Sequence, residues 1–179
     1  MQDERCGYFC GGTLISKRHI LTAAHCKHSD GQKVWLGQHT RKPIDGIPYK
    51  VCKARPHKMY RYGSEGMEGY DFEILHLDRD VELNEKVQLA CLPSKKDGLD
   101  DAFLDGKKLF TSGWGDMKYD SSNCPNELHS VELPGFSNER CKNESGYEEI
   151  DWNSKYADTL LCAGRTGKDA CQGDSGGRI

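Results

Sequence analysis

The chain has 179 residues, of which 30% are charged and 36% hydrophobic, and its formal net charge is −3. That balance leaves no basic footprint for a nucleic acid, and no apolar run reaches membrane-spanning length. The length allows one large domain or two small ones.

Short apolar stretches separated by turn residues predict strands over 12–15, 33–36, 49–54, 72–77, 108–112, 128–133 and 159–163. Gly11-Gly12, Ser29-Asp30-Gly31 and Asp45-Gly46 punctuate the first half, and Gly63, Gly66 and Gly69 crowd the loop before Asp71. Strands of this spacing predict an all-β barrel or sandwich. A short helix is expected from about Ser137, whose hydroxyl would cap it. The polar stretch Ser94-Lys95-Lys96-Asp97-Gly98 after Pro93 reads as a linker.

Nine cysteines are many for a cytosolic protein and point to disulfides in a secreted one. Met1-Gln2-Asp3-Glu4-Arg5 is not followed by the apolar segment of a signal peptide, so the natural start is expected to lie elsewhere. Asn143-Glu144-Ser145 is a glycosylation sequon, expected on a surface loop.

Three motifs carry chemistry. Leu21-Thr22-Ala23-Ala24-His25-Cys26 lies near the start, Tyr70-Asp71-Phe72-Glu73-Ile74-Leu75 in the middle, and Ala170-Cys171-Gln172-Gly173-Asp174-Ser175-Gly176-Gly177 near the end. A serine hydroxyl needs a base to take its proton and a carboxylate to orient that base. His25, a buried-type Asp71 and Ser175 supply that set, although each alone also reads as an ordinary residue. Cys6, Cys10, His25, Cys26 and His28 could also be read as a zinc cluster, which their spacing supports poorly.

These motifs, in this order, resemble those of the trypsin/chymotrypsin family of serine endopeptidases. Tyr8-Phe9-Cys10-Gly11-Gly12-Thr13-Leu14-Ile15-Ser16, Ala90-Cys91-Leu92-Pro93, Thr111-Ser112-Gly113-Trp114-Gly115 and Leu161-Cys162-Ala163-Gly164 fall in family order too. The resemblance implies two Greek-key β-barrels with a cleft between them. Residues 1–93 would form the first, carrying His25 and Asp71, and residues 94–179 the second, carrying Ser175. The same resemblance implies disulfides Cys10–Cys26 and Cys141–Cys162, and an oxyanion hole made by the N–H groups of Gly173 and Ser175. Asp169, six residues before Ser175, would lie at the floor of the pocket and select Arg or Lys.

Asp174 would pair with a freed amino terminus, and without it would be a carboxylate seeking a partner. The family's usual calcium loop would span Gly37-Gln38-His39 onward. Gln38 stands where the family has Glu, Pro48 replaces another carboxylate, and Asp45 remains, so no metal or other cofactor is expected. Cys91 and Cys171 match cysteines whose usual partners this chain lacks. Cys6, Cys52 and Cys124 lie outside the family pattern, with pairing left open, and Leu109 replaces a family cysteine.

By resemblance the chain is expected to be incomplete at both ends, lacking the first strand region and the last strands of the second barrel. The expected activity is extracellular cleavage of protein or peptide substrates after Arg or Lys. Protein protease inhibitors are the other expected partners, and neither nucleic acid nor membrane is. The alternative is a non-catalytic binding or decoy protein on the same scaffold, incomplete yet retaining Ser175.

Overall fold

The computed structural model describes residues 10–61, 69–93, 105–118, 124–144 and 160–179. Its first sheet begins with a hairpin of β1 (Thr13–Ser16) and β2 (His19–Thr22), closed by Lys17 and Arg18. Strands β3 (Lys33–Leu36), β4 (Ile47–Pro56) and β5 (Glu73–Leu77) complete five antiparallel strands in the order β1-β2-β5-β4-β3. Period-two alternation sets which face is buried. In β5, Glu73, Leu75 and Leu77 point inward while Ile74 and His76 are half-buried. Tyr49 and Val51 do the same in β4, where the register slips between Val51 and Lys53. Such a bulge bends and twists its strand, which helps a sheet curl. Leu14, Ile20, Tyr49, Val51, Leu75, Leu77, Val81 and Val87 form the core that the curled sheet encloses.

The second sheet has the order β6-β7-β8, with β6 (Lys108–Gly113), β7 (His129–Phe136) and β8 (Cys162–Ala163). The helix α1 (Asn138–Glu144) follows β7. The Arg140 N–H donates to Ser137 Oγ at 3.3 Å, so Ser137 caps the helix as expected. A disulfide between Cys141 and Cys162 ties α1 to β8. Asn143 is exposed on α1 rather than on a loop, while Ser145 of its sequon lies outside the described residues.

The mostly β architecture with curled antiparallel sheets matches the expectation, with corrections in detail. Strand β2 was not expected. Its hairpin turns through Ser16-Lys17-Arg18 without Gly, Pro or Asn, so the usual turn signal is absent. Strand β4 runs longer than expected because its two ends pair with different neighbours, Leu36↔Ile47 and Glu73↔Pro56. The second sheet's middle strand extends to Phe136, through Pro134. The linker at Ser94–Gly98, the loop glycines Gly63 and Gly66, residues 1–9 and Thr159 lie outside the described residues.

A loop of the first half clasps the second. Arg41 Nε donates to the Pro125 carbonyl at 2.7 Å and its Nη2 to the Cys124 carbonyl at 2.9 Å. Lys42 and Asn126 exchange two hydrogen bonds, and Trp114 Nε1 and the Leu128 N–H both donate to the His39 carbonyl. Asp45, weighed above as a calcium ligand, uses one carboxylate oxygen to accept the N–H groups of His39 and Thr40, which shapes this loop.

Leu75 is 1% exposed at the centre of the core. Leu75→Ala should therefore destabilise the fold by about 3 kcal/mol, read as a lower denaturant midpoint with an unchanged slope.

Candidate active site

Strand β2 ends at Thr22 and a 3₁₀ turn, Ala24–Cys26, follows at once. His25 sits on that turn, and a disulfide from Cys10 to Cys26 anchors it from the side. Strand β5 is paired to β2 with Thr22 opposite Glu73, which brings Asp71, just before β5, beside the turn. Asp71 then takes His25 twice. The His25 backbone N–H donates to Oδ1 at 2.8 Å, and ring Nδ1–H donates to Oδ2 at 2.6 Å. This assigns the Nδ1–H tautomer to a neutral ring and leaves Nε2 as its proton acceptor.

The Asp71 side chain is 40% exposed and that of His25 47%, so the aspartate is not the buried one expected from the motif. The hydrogen bond to Asp71 raises the His25 imidazole above its ordinary 6.5, against a smaller lowering by partial burial. Burial pushes the Asp71 carboxyl up, but hydrogen bonds from the His25 ring and backbone outweigh it and hold the group below its ordinary 3.8.

Ser175 comes from the other end of the chain. Its carbonyl accepts the Gly11 N–H at 2.7 Å, just before β1. The next residue, Gly176, has φ of +74° and lies against Thr22, the Gly11 carbonyl and the Ala23 N–H, where a Cβ would collide with all three. The serine loop is thereby seated beside the segment leading to His25. Among the described residues no hydrogen bond links Ser175 Oγ to His25, a separation common before substrate binds. The N–H groups of Gly173 and Ser175 donate no hydrogen bond among the described residues, so both donors are available.

Asp174, expected to lack a partner, accepts hydrogen bonds from the Gly115 N–H at 2.8 Å and the Cys171 N–H at 3.0 Å. Its carboxylate occupies the space that a Cβ on Gly115 would fill. Asp169 is exposed next to the Arg165–Lys168 turn, and its carboxylate accepts the Ala170 N–H at 2.8 Å.

Cys10, His25 and Cys26 place ligand-type atoms within 4.8 Å of one another. Both sulfurs are consumed in the disulfide, which corrects the zinc reading. His28, the other histidine of that reading, is engaged elsewhere: its Nδ1–H donates to Glu73 Oε2 at 2.9 Å. Glu73 was missed as a site residue. The available signal was a carboxylate at an inward position of a strand otherwise filled with Leu75 and Leu77. Cys52, Cys91 and Cys171 carry free thiols, and Cys124 is disulfide-bonded. A cavity of about 840 Å³ opens into the first sheet, lined by Leu14, Ile20 and Val34 among others, but not by His25, Asp71 or Ser175. Ser112, Trp114, Leu128 and Gly177 also line it, so it lies where the first sheet meets the second, apart from the histidine–aspartate pair.

The architecture is thus that of a mostly β protein in which a glycine-bracketed serine loop packs beside the segment leading to a histidine–aspartate pair. Residues 1–178 match the trypsin family model. Trypsin-3 of Salmo salar is 33% identical over 174 residues, covering 96% of this chain and 67% of the relative. The clotting factor G beta subunit of Tachypleus tridentatus is 35% identical over 187 residues, covering 96% of this chain and 57% of the relative. The solved structure of neuropsin, a serine protease expressed in the limbic system of mouse brain, superposes with a TM-score of 0.75 at 32% identity. That superposition covers 94% of this chain and 70% of neuropsin. The chain belongs to the trypsin family of serine proteases.

The two shifts fix how the pair responds to pH. The raised His25 contributes stability that is complete below 6.5 and is lost as pH rises through its folded-state value. The lowered Asp71 contributes stability present above 3.8 and lost as pH falls through its own folded-state value. Imidazole NMR should therefore show His25 titrating above 6.5. Asp71→Asn, which removes the raising partner and leaves partial burial, should bring the midpoint below that value. A midpoint at or below 6.5 in the unmutated protein would contradict the pairing.

Proposed function

We propose that the protein is a serine endopeptidase cleaving after Arg or Lys, with residues 1–93 and 94–179 as the two halves of one peptidase domain. The observation that carries this reading is the double capture of His25 by Asp71, which leaves Nε2 as the acceptor of a proton. Ser175 Oγ attacks the scissile carbonyl while its proton passes to His25 Nε2. The imidazolium so formed is stabilised by Asp71. The carbonyl oxygen, now negative, is received by the N–H groups of Gly173 and Ser175. Each such donor is typically worth ~3 kcal/mol in the transition state. His25 returns its proton to the departing amine, leaving an acyl-enzyme on Ser175. Water, activated by the same imidazole, then releases the acid and restores the serine.

Asp169 supplies the negative charge that selects a cationic side chain. Asp174, seated by Gly115 and Cys171, receives the amino terminus of the activated chain. The disulfides support an oxidising, extracellular location, with Asn143 as the glycosylated residue. Among the described residues no helix is long and apolar enough to cross a membrane. Substrates are proteins or peptides, and protein protease inhibitors are the complementary ligands.

A serine-directed phosphonate applied to the full-length, activated protein tests the chemistry. Labelling at Ser175 is expected, and Ser175→Ala should abolish it and lower kcat by roughly 10⁶-fold. No labelling of the activated protein rejects the endopeptidase reading. A peptide library varied at the residue before the cut tests selectivity. Asp169→Ser should lower kcat/KM on Arg and Lys substrates by about 10²-fold or more, with little change on neutral ones.

A further inference from the structure

Among the described residues, two imidazole–carboxylate pairs lie on the same two segments. His28 follows His25 by three residues and Glu73 follows Asp71 by two. The environments differ sharply. The His28 and Glu73 side chains are 5% and 1% exposed, against 47% and 40% for His25 and Asp71. Glu73 lies on the central strand, opposite Thr22 of β2 and Pro56 of β4, and points inward beside Leu75 and Leu77. Lys27, with φ of +54°, turns the chain between His25 and His28, and His28 lines the cavity that His25 does not reach.

A carboxylate buried among leucines is costly unless it is hydrogen-bonded, and replacing a buried ion pair by apolar residues is often neutral or stabilising. The pair is therefore a poor means of adding stability. It does add direction. A half-exposed pair such as His25–Asp71 competes with water for the same atoms and so holds its own geometry weakly. The buried pair, shielded from water, fixes the His25-bearing turn to the first residue of β5, two residues from Asp71.

We propose that His28–Glu73 is a positioning pair that sets the placement of the His25 imidazole relative to Asp71 and Ser175. The inference rests on the endopeptidase reading. Neither residue touches substrate; both act through the turn. The demand is stringent, because a misplacement of about 1 Å can cost roughly 10²-fold in rate.

The test uses the full-length, activated protein and three variants. Glu73→Gln keeps an acceptor oxygen for His28 and should stay within about threefold of wild type in kcat, because the turn keeps its placement. The double variant H28L/E73L removes both polar groups and should fold, since apolar replacement of a buried pair is tolerated. Its phosphonate labelling and kcat should fall by about tenfold or more, with KM changed by less than about threefold. His28→Leu alone should also be slow, and His28→Asn, whose amide N–H can replace Nδ1–H, should restore the rate. A folded double variant labelled at the wild-type rate overturns the proposal. If the double variant does not fold, equal rates for His28→Asn and His28→Leu overturn it instead. Absence of labelling in the wild type would reject the endopeptidase reading itself, a result distinct from either of these.

Discussion

The hydrogen bond from the Gly11 N–H to the Ser175 carbonyl, at 2.7 Å, is the contact on which the arrangement of the site depends. It joins Gly11, two residues before β1, to the serine loop and brings distant parts of the chain to one place. Two constraints surround it. Gly176 sits where any Cβ would strike Thr22, Gly11 and Ala23, so the loop can approach the histidine segment only without a side chain. On the other flank Asp174 is drawn into a space left by Gly115 and held by two backbone N–H groups. The serine between them has little freedom to move without breaking one of these contacts. Thr22 Oγ1 also donates to the Gly11 carbonyl at 2.7 Å, so the strand leading to His25 and the segment gripping Ser175 are tied directly.

A proton-transfer group has conflicting needs, and the two histidine–carboxylate pairs divide them. In the proposed reaction His25 gains and loses a proton, which requires access to substrate and a pKa that a partner can adjust. Partial exposure and the Asp71 hydrogen bond supply both. Exposure also weakens the pair as a source of rigidity, since water competes for the same atoms. His28 and Glu73 stand in the opposite condition, out of water and next to β5, where the alternative to their mutual bond is an unsatisfied buried group. Directional order is strong there, while exchange with solvent is not needed.

Much of the first sheet was legible because its strands are short apolar stretches bounded by turn residues, such as those holding Tyr49 and Val51 or Leu75 and Leu77. The cap at Ser137 was legible from a residue type at a local position, whereas the disulfides Cys10–Cys26 and Cys141–Cys162 were legible only through the resemblance to the trypsin/chymotrypsin family. What escaped depends on long-range placement. Strand β2 lacks a conventional turn residue before it, so only its pairing with β1 and β5 reveals it. The exposure of Asp71 depends on what surrounds the loop, not on its motif. Asp174 was expected to be orphaned because the backbone donors of Gly115 and Cys171 cannot be seen in a sequence. Glu73 was hidden inside a recognised motif, where the neighbouring aspartate drew the reading.

The two halves are aligned mainly by directional contacts. The apolar cluster around Val51, Leu75 and Leu77 belongs to the first sheet, and apolar burial is nondirectional, so it can stabilise that sheet without setting where the second one sits. Among the described residues, hydrogen bonds cross between the two: Arg41 to the carbonyls of Cys124 and Pro125, Lys42 with Asn126, and Trp114 and Leu128 to His39. Hydrogen bonds weaken steeply with distance and angle, so a set of them at one edge and the Gly11–Ser175 bond at another define an orientation that packing alone would leave loose. A guanidinium is suited to this role because its donors form a rigid planar fork, and Arg41 spans two successive carbonyls in that manner. Asp45 belongs to the same system: by gathering the N–H groups of His39 and Thr40 it shapes the loop that presents Arg41. The orientation of the second sheet against the first thus rests partly on a loop that contains neither His25 nor Ser175.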